Sequence, residues 1–353
     1  MTITQLSRAT SPLRPRVPGD WRGPLGAMLV ALLAVLSLSA CDDPKPAGKG
    51  TIAERTDQPA APTPPTPERR RVALVMKTLT NPFFIEMERG ARSAEAELGV
   101  ELLVKTAAQE TSIEQQIAIV EDLVRQRVDA IVIAPGDSVK LIPALKRARD
   151  AGLAVVNIDN RLDADVARAA GLAPVPFISV DNENGAFLAG RTLVDGVTEP
   201  VKAAIIEGIR TAANAEARKA GALRAFAGNP LVTVVAQETA DWKIDEAYDV
   251  AKAMFARHPD ISLLFCANDM MALGAAKYIQ EAGGTKVRIA GFDALNEGVE
   301  AVKNGLLVAT IDQQAGRQGY LGVVTAVRML SHQEVPLETM VDVRVITAQP
   351  AKP

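Results

Sequence analysis

From Arg71 onward the chain alternates between short apolar runs and longer segments whose apolar positions recur every three or four residues. The run at 72–76 (VALVM) gives way to a helical pattern from about Phe84 to Leu98, which stops at Gly99. The spacing predicts a second helix from Thr111 and Ser112, with Gln115 three residues after Ser112 as the far member of a capping box. It predicts another from Ser138 to Ala151, closed by Gly152 in the glycine position that ends many helices. Apolar strands of four to seven residues separated by helices of this length imply an α/β fold with parallel sheet covered on both faces. A second series opens near 177–180 (FISV) and continues through 203–206, 231–236, 263–267 and 287–292. Two series hold too many strands for one small sheet, so the pattern predicts two α/β lobes, with Pro174 and Pro176 marking the seam.

The polar residues that leave these runs share a position. Lys77-Thr78-Leu79-Thr80-Asn81-Pro82-Phe83-Phe84 follows the first run and puts a carboxamide and two rings on a strand-to-helix loop. Asp159-Asn160-Arg161 follows the run at 155–158, Asn268-Asp269 follows 263–267, Asp293 follows 289–292, and Gln313 follows 308–311. Open α/β sheets bind ligands outside the carboxyl ends of their strands. These side chains are therefore expected to converge on one small ligand rich in hydroxyls.

Composition narrows the functional classes. A length of 353 residues points to two domains, and 48% hydrophobic with 23% charged residues is ordinary for a folded protein. A formal net charge of -3 supplies no broad field for nucleic acid or an anionic membrane. Residues 1–40 read as a targeting segment. Arg8, Arg14, Arg16 and Arg22 form a basic head, and the apolar run at 25–38 is shorter than the ~20 residues of a spanning helix. The segment ends in Leu38-Ser39-Ala40-Cys41, which resembles the lipobox of bacterial lipoproteins and makes Cys41 the expected lipidated residue. Stable anchoring takes more than one acyl chain, which a lipoprotein cysteine carries. Residues 41–70 are rich in Pro, Ala and Thr and form an extended tether. With Cys41 lipidated, Cys266 has no disulfide partner and reads as a small buried hydrophobe in a strand.

Several segments together carry a family resemblance across about Arg71 to Ile346. Thr80-Asn81-Pro82-Phe83-Phe84, Ile158-Asp159-Asn160, Ala267-Asn268-Asp269-Met270-Met271-Ala272-Leu273-Gly274, Gly291-Phe292-Asp293 and Ala309-Thr310-Ile311-Asp312-Gln313 look like signature segments of type I periplasmic sugar-binding proteins, the ribose and glucose/galactose binders. The resemblance implies two Rossmann-like lobes with parallel sheets joined by a three-stranded hinge, with crossings near Val180-Asp181, Gln313-Gln314 and Asp342. It implies a first lobe from 71–180 plus 314–342 and a second from 181–313 plus 343–353. By similarity, Asn81, Asp159, Asn160, Asn268, Asp293 and Gln313 would bind sugar hydroxyls, and Phe83, Phe84 and Trp242 would supply aromatic walls. A pyranose has apolar C–H faces and a rim of hydroxyls that donate and accept, so it needs rings together with Asp, Asn and Gln edges. The implied activity is capture of a sugar or polyol for an ABC permease, with a periplasmic sensor serving a chemoreceptor or kinase as the alternative. A DNA-bound regulator of the same fold would need a helix-turn-helix where this chain has its leader.

The chain also departs from those relatives. Ala134 stands where ribose binders carry an asparagine, whereas 208–218 (GIRTAANAEAR) looks more like the glucose/galactose pattern. There Asn214 occupies an aspartate position, Arg218 an arginine position, and Ala212 the place of a histidine. The calcium loop of the glucose/galactose binder has no counterpart, so no metal is expected, and no cofactor is implied. Structural alternatives stand beside each assignment. Asn81 before Pro82 suits a helix cap, Phe83 and Phe84 suit a hydrophobic staple, Asp293 suits a cap, and Trp242 suits a core. Asn214 and Arg218, four apart, suit a surface pair, and Arg210 is the weakest candidate. His258 and His332 read as residues of helix ends, and neither a nucleophile elbow nor a phosphate loop occurs.

Overall fold

The computed structural model describes residues 69–284 and 286–348. Cys41, the targeting segment and nearly all of the tether lie outside the described residues. The chain runs through β1 (Arg71–Met76), α1 (Pro82–Leu98), β2 (Glu101–Thr106), α2 (Ile113–Arg125), β3 (Ala130–Ile133), α3 (Ile142–Asp150), β4 (Ala154–Ile158), α4 (Ala164–Ala169) and β5 (Phe177–Val180). It continues with α5 (Asn182–Val194), β6 (Val201–Glu207), α6 (Ala213–Ala227), β7 (Val232–Thr239), α7 (Ile244–Arg257), β8 (Ile261–Cys266), α8 (Asp269–Glu281), β9 (Arg288–Ala290), α9 (Asn296–Lys303) and β10 (Ala309–Asp312). Last come α10 (Ala315–Leu330), β11 (Glu338–Val341) and β12 (Arg344–Thr347).

These strands form two six-stranded sheets, ordered β11-β5-β4-β3-β1-β2 and β12-β10-β9-β8-β6-β7. Every pairing is parallel except that of β10 with β12. The fold is thus the two-lobed α/β architecture of doubly covered parallel sheets. Among the described residues the chain passes between sheets three times: after Val180, after Asp312 and after Val341.

Strand β1 shows why the apolar runs are unbroken. Val72, Leu74 and Met76 face a cluster that includes Met87, Ala91, Val323 and Ala326 from α1 and α10. Ala73 and Val75 face the opposite cluster, with Val120, Leu123, Leu145 and Ala148 from α2 and α3. Side chains alternate across a strand, so a strand with helices on both faces must be apolar at every position.

Helix ends follow local chemistry, with three departures from the sequence expectations. Asn81 caps α1, its Oδ1 accepting from the Phe83 amide at 3.1 Å, with Pro82 in the first turn and Gly99 closing the helix at φ 65°. The capping box at Ser112 does not form: the Ser112 side chain makes no cap, and Gln115 Oε1 instead accepts from the Ala108 amide at 2.8 Å. The third helix begins at Ile142 rather than Ser138. Asp137 Oδ1 accepts from the Val139 and Lys140 amides, both at 2.8 Å, which holds the intervening residues in a turn. The seam does not lie at Pro174 and Pro176. Strand β5 pairs with β4 and β11 in the first sheet, and Asp181, whose Oδ1 accepts from the Asn184 amide, starts the helix that enters the second. Prolines mark a break in regular structure, but membership of a sheet is decided by pairing partners.

In both lobes the helices flanking the hinge pack backbone to backbone. A Cβ on Gly90 of α1 would lie 1.7 Å from the Gly316 carbonyl oxygen, and one on Gly319 of α10 would lie 2.1 Å from that of Met87. In the second lobe, a Cβ on Gly221 of α6 would lie 2.0 Å from the Glu183 carbonyl oxygen of α5. A further knot ties three strand ends together. The buried Asp269 accepts from Thr310 Oγ1 at 2.7 Å and from the Leu295 amide at 2.9 Å. A Cβ on Gly291 or Gly298 would lie 2.1 Å from its carboxylate.

Two outcomes follow from this packing. Gly90→Ala should lower unfolding free energy in urea by about 3 kcal/mol, at the upper end of overpacking costs. Gly99→Ala meets no neighbour and should cost only the left-handed strain of about 1 kcal/mol. Burial pushes the Asp269 carboxyl up to about 7, so the folded state holds a proton that the unfolded chain releases near pH 4. That contribution is present at acidic pH and is lost as pH rises through 7. The melting temperature of the wild type should therefore fall between pH 5 and pH 8 more steeply than that of Asp269→Asn.

Candidate functional site

The carboxyl ends of both sheets face a small shared cavity. The first lobe contributes Lys77, Asn81, Phe83, Phe84, Glu110 and Asp159, and the second contributes Asn214, Arg218, Trp242, Asn268, Asp293 and Gln313. The loops that follow β1, β2 and β4 meet the amino end of α6 and the segments that follow β7, β8, β9 and β10.

In the first lobe, Lys77 Nζ lies 2.9 Å from Asp159 Oδ2 and 3.9 Å from Glu110 Oε2, with all three side chains buried. Asn81 Nδ2 donates to Glu110 Oε1 at 2.9 Å, so the same residue caps α1 and holds a cavity carboxylate. Burial raises the Glu110 carboxyl above its ordinary value, and Lys77 and the Asn81 bond oppose it. Phe83 and Phe84 meet edge to face with centroids 5.1 Å apart, and both line the cavity. The rings that pack the start of α1 therefore also face the cavity.

In the second lobe, Arg218 is the central cation. Its Nε donates to Asn182 Oδ1 at 2.9 Å and its Nη1 to the Ala267 carbonyl at 2.8 Å, while Nη1 stands 3.4 Å from Asp293 Oδ1. The guanidinium carbon lies 3.8 Å from the Phe292 ring centroid and 5.4 Å from that of Trp242. Burial pulls the guanidinium below its ordinary value and pushes the Asp293 carboxyl well above its own, and each ion counteracts the shift of the other. Gln313 Nε2 donates to Asp293 Oδ1 at 2.6 Å, and Gln318 Nε2 fixes the Gln313 carbonyl at 2.8 Å. Asn268 caps α8 through the Met271 amide and donates Nδ2 to the Trp242 carbonyl at 3.2 Å. The Trp242 ring lies against Gly208, where a Cβ would approach it to 2.2 Å.

Backbone strain gathers at the same place. Asp159 (φ 63°), Trp242 (φ 69°) and Asp293 (φ 116°) all have positive φ, a conformation that costs non-glycine residues energy and persists where surrounding structure imposes it. Three buried atoms of the lining, Asp159 Oδ2, Asn214 Oδ1 and Trp242 Nε1, have no hydrogen-bond partner among the described residues, though Asp159 Oδ2 is ion-paired with Lys77. Such groups ordinarily find one, so a ligand with both donors and acceptors suits the cavity.

Ten of the eleven ligand-binding residues expected from the sequence line the cavity; the exception is Asn160. Asn160 is fully buried with Nδ2 on the Pro135 carbonyl at 3.1 Å and on Ser138 Oγ at 3.3 Å. The left-handed turn at Asp159 sends the next side chain toward the β3–α3 loop instead. Asn214 and Arg218 are buried at the cleft rather than forming a surface pair. Asp293 caps no helix, because the cap position of α9 is Leu295. Arg210 lies outside the cavity and pairs with Glu207 at 2.8 Å. The sequence reasoning missed Lys77 and Glu110. Both follow strands, β1 and β2, and the strand-end rule applied to every polar residue would have found them. It also missed Asn182, which orients Arg218 but carries no motif.

The sequence profile described as "Periplasmic binding protein domain" matches residues 72–334. The D-ribose/D-allose-binding protein of Pseudomonas aeruginosa is 41% identical over 273 residues, covering 76% of this chain and 84% of that protein. The D-allose-binding periplasmic protein of Escherichia coli is 34% identical over 253 residues, 71% of this chain and 81% of its own. A solved periplasmic solute-binding protein of an ABC transporter from Actinobacillus succinogenes, with bound D-allose, superposes with a TM-score of 0.75 at 37% identity, covering 79% of this chain and 98% of that one. With the cavity and all but the last two strands of the two lobes inside the matched region, the chain belongs to the periplasmic binding protein family.

Proposed function

We propose that this protein binds a single aldose, D-allose or the related D-ribose, in the cavity between its lobes and hands it unchanged to an ABC permease. The observation that carries the proposal is the charge balance of the lining. Two cations, Lys77 and Arg218, stand among three carboxylates, Glu110, Asp159 and Asp293, and all five side chains are buried. An anionic ligand would meet the carboxylates and an organic cation would meet Lys77 and Arg218, whereas neutral hydroxyls can donate to one set and accept from the other. Aromatic rings on both sides, Phe83 and Phe84 from one lobe and Trp242 from the other, stand beside these polar groups, as the apolar faces and hydroxyl rim of a monosaccharide require. The names of the relatives point the same way. D-allopyranose repeats the hydroxyl configuration of D-ribopyranose at C2, C3 and C4 and adds a hydroxymethyl group, so one cavity can select for that shared triol.

The ligand is gripped from both sides, and only contacts made by both lobes at once favour the closed arrangement over an open one. Asn81, Asp159 and the phenylalanines act from the first lobe, and Arg218, Trp242, Asn268, Asp293 and Gln313 act from the second. Charged acceptors make the stronger hydrogen bonds, roughly 1.5–3 kcal/mol each against about 1 for neutral pairs. We further propose that Cys41 is the lipidated first residue of the mature protein and that the tether holds the body at the periplasmic face of a membrane.

Calorimetry of the purified protein against D-allose, D-ribose and D-glucose should give binding of the first two, with D-glucose at least about tenfold weaker, because its inverted C3 hydroxyl leaves a buried group unpaired. Absence of heat with all three sugars would count against the assignment. Trp242→Ala and Asp293→Asn should each lower affinity for the preferred sugar by about tenfold or more, and unchanged affinity in both would remove this cavity as the binding site. In cells fed labelled palmitate, the wild type should incorporate label, and Cys41→Ser should not.

A further inference from the structure

Helix α6 begins without a cap of its own. Its cap position is Ala212, which has no side-chain oxygen, yet the helix opens at the cavity and carries Asn214 and Arg218. The first amides of any helix lack internal partners and are normally met by a local Ser, Thr, Asp or Asn. Here the partners come from the opposite lobe. The Ala213 amide donates to Ser138 Oγ at 3.0 Å, and the Asn214 amide donates to Asn160 Oδ1 at 3.2 Å. Immediately before the helix, the Thr211 carbonyl accepts from the Ser138 amide at 3.0 Å.

The acceptor pair is held in place before the lobes meet. The Ser138 carbonyl accepts from the Asp163 amide at 2.8 Å, and Asn160 Nδ2 is anchored on the Pro135 carbonyl at 3.1 Å. Asp137 braces the turn that presents Ser138 through the Val139 and Lys140 amides. Neither Ser138 nor Asn160 lines the cavity.

We infer that Ser138 and Asn160 are affinity-setting residues that act without touching the ligand: they cap helix α6 across the cleft and so stabilise the closed form directly. The inference rests on the ligand-driven closure proposed above. When the lobes part, the Ala213 and Asn214 amides pass to water, which satisfies them adequately. When the lobes close, they are buried and need Ser138 and Asn160. Within its own lobe the Ser138 hydroxyl also accepts from Asn160 Nδ2 at 3.3 Å, but that donor keeps the Pro135 carbonyl at 3.1 Å, so removing the hydroxyl penalises chiefly the closed state. Because the cap touches no sugar atom, every ligand should lose the same factor.

The test compares wild type and Ser138→Ala by calorimetry with D-allose and D-ribose, and by amide hydrogen exchange over the first turn of α6 with and without sugar. The melting temperature of the sugar-free protein checks folding. Ser138→Ala should weaken both sugars about tenfold, as expected for a buried donor left unpaired. The ratio of the two affinities and the sugar-free melting temperature should stay unchanged, and exchange in the α6 turn should be faster. Unchanged affinity would overturn the inference while leaving sugar binding intact, and a changed allose-to-ribose ratio would overturn it by making Ser138 a ligand contact. If the wild type binds neither sugar, the functional proposal fails, and the exchange rates alone decide the capping role: equal rates in the two proteins overturn it.

Discussion

Five ionisable side chains share one buried cavity, and the structure is organised around making that tolerable. Moving an ion from water into a protein interior costs several kcal/mol even after relaxation, so Lys77, Glu110, Asp159, Arg218 and Asp293 must be paired or hydrogen-bonded. The pairing is internal to each lobe. Lys77 serves Asp159 and Glu110 in the first, and Arg218 serves Asp293 in the second. Each lobe thus pairs charges of its own, and between the halves Asn214 Nδ2 donates to Asp159 Oδ1 at 3.3 Å.

Precision at the cavity depends on packing well behind it. The site residues sit on strand ends and helix starts, and the helices beside them are locked where glycines let backbones touch: α1 against α10 and α5 against α6. Asp269 binds the segments carrying Asn268, Asp293 and Gln313 into one unit. Lobes stiffened this way confine movement to the three chain passages, near residues 181, 313 and 342. A rigid-lobe, soft-hinge arrangement lets a few hydrogen bonds across the cleft, including those from Ser138 and Asn160, shift the whole closing equilibrium.

Much of the site was legible because one rule of α/β sheets does most of the placing. Polar residues directly after apolar strands must emerge at the carboxyl edge, and Asn81, Asp159, Asn268, Asp293 and Gln313 all did so in the chain itself. The same rule overreached at Asn160 and was applied too narrowly at Lys77 and Glu110. Asn160 follows a strand, but a left-handed residue before it redirects the side chain, and periodicity carries no record of φ. Lys77 resembles any solvated lysine until Asp159 and Glu110, 82 and 33 residues further on, are brought beside it.

The sequence by itself determined the α/β class and the alternation that builds two sheets, because strands buried on both faces must be apolar throughout and helices must show one apolar stripe. It determined most of the cavity chemistry, because those residues sit at a place in the strand-helix unit that local order already defines. The periodicity left open which sheet each strand joined, as for β5, β11 and β12, since pairing depends on partners far away in the chain; only the family resemblance implied those lobes. Tertiary structure alone decided that Lys77 is an ion-pair hub, that Arg218 is held by Asn182, and that helix α6 takes its cap from the other lobe. Contacts between residues distant in sequence leave no periodic trace, and their energies exist only once the chain has closed on itself.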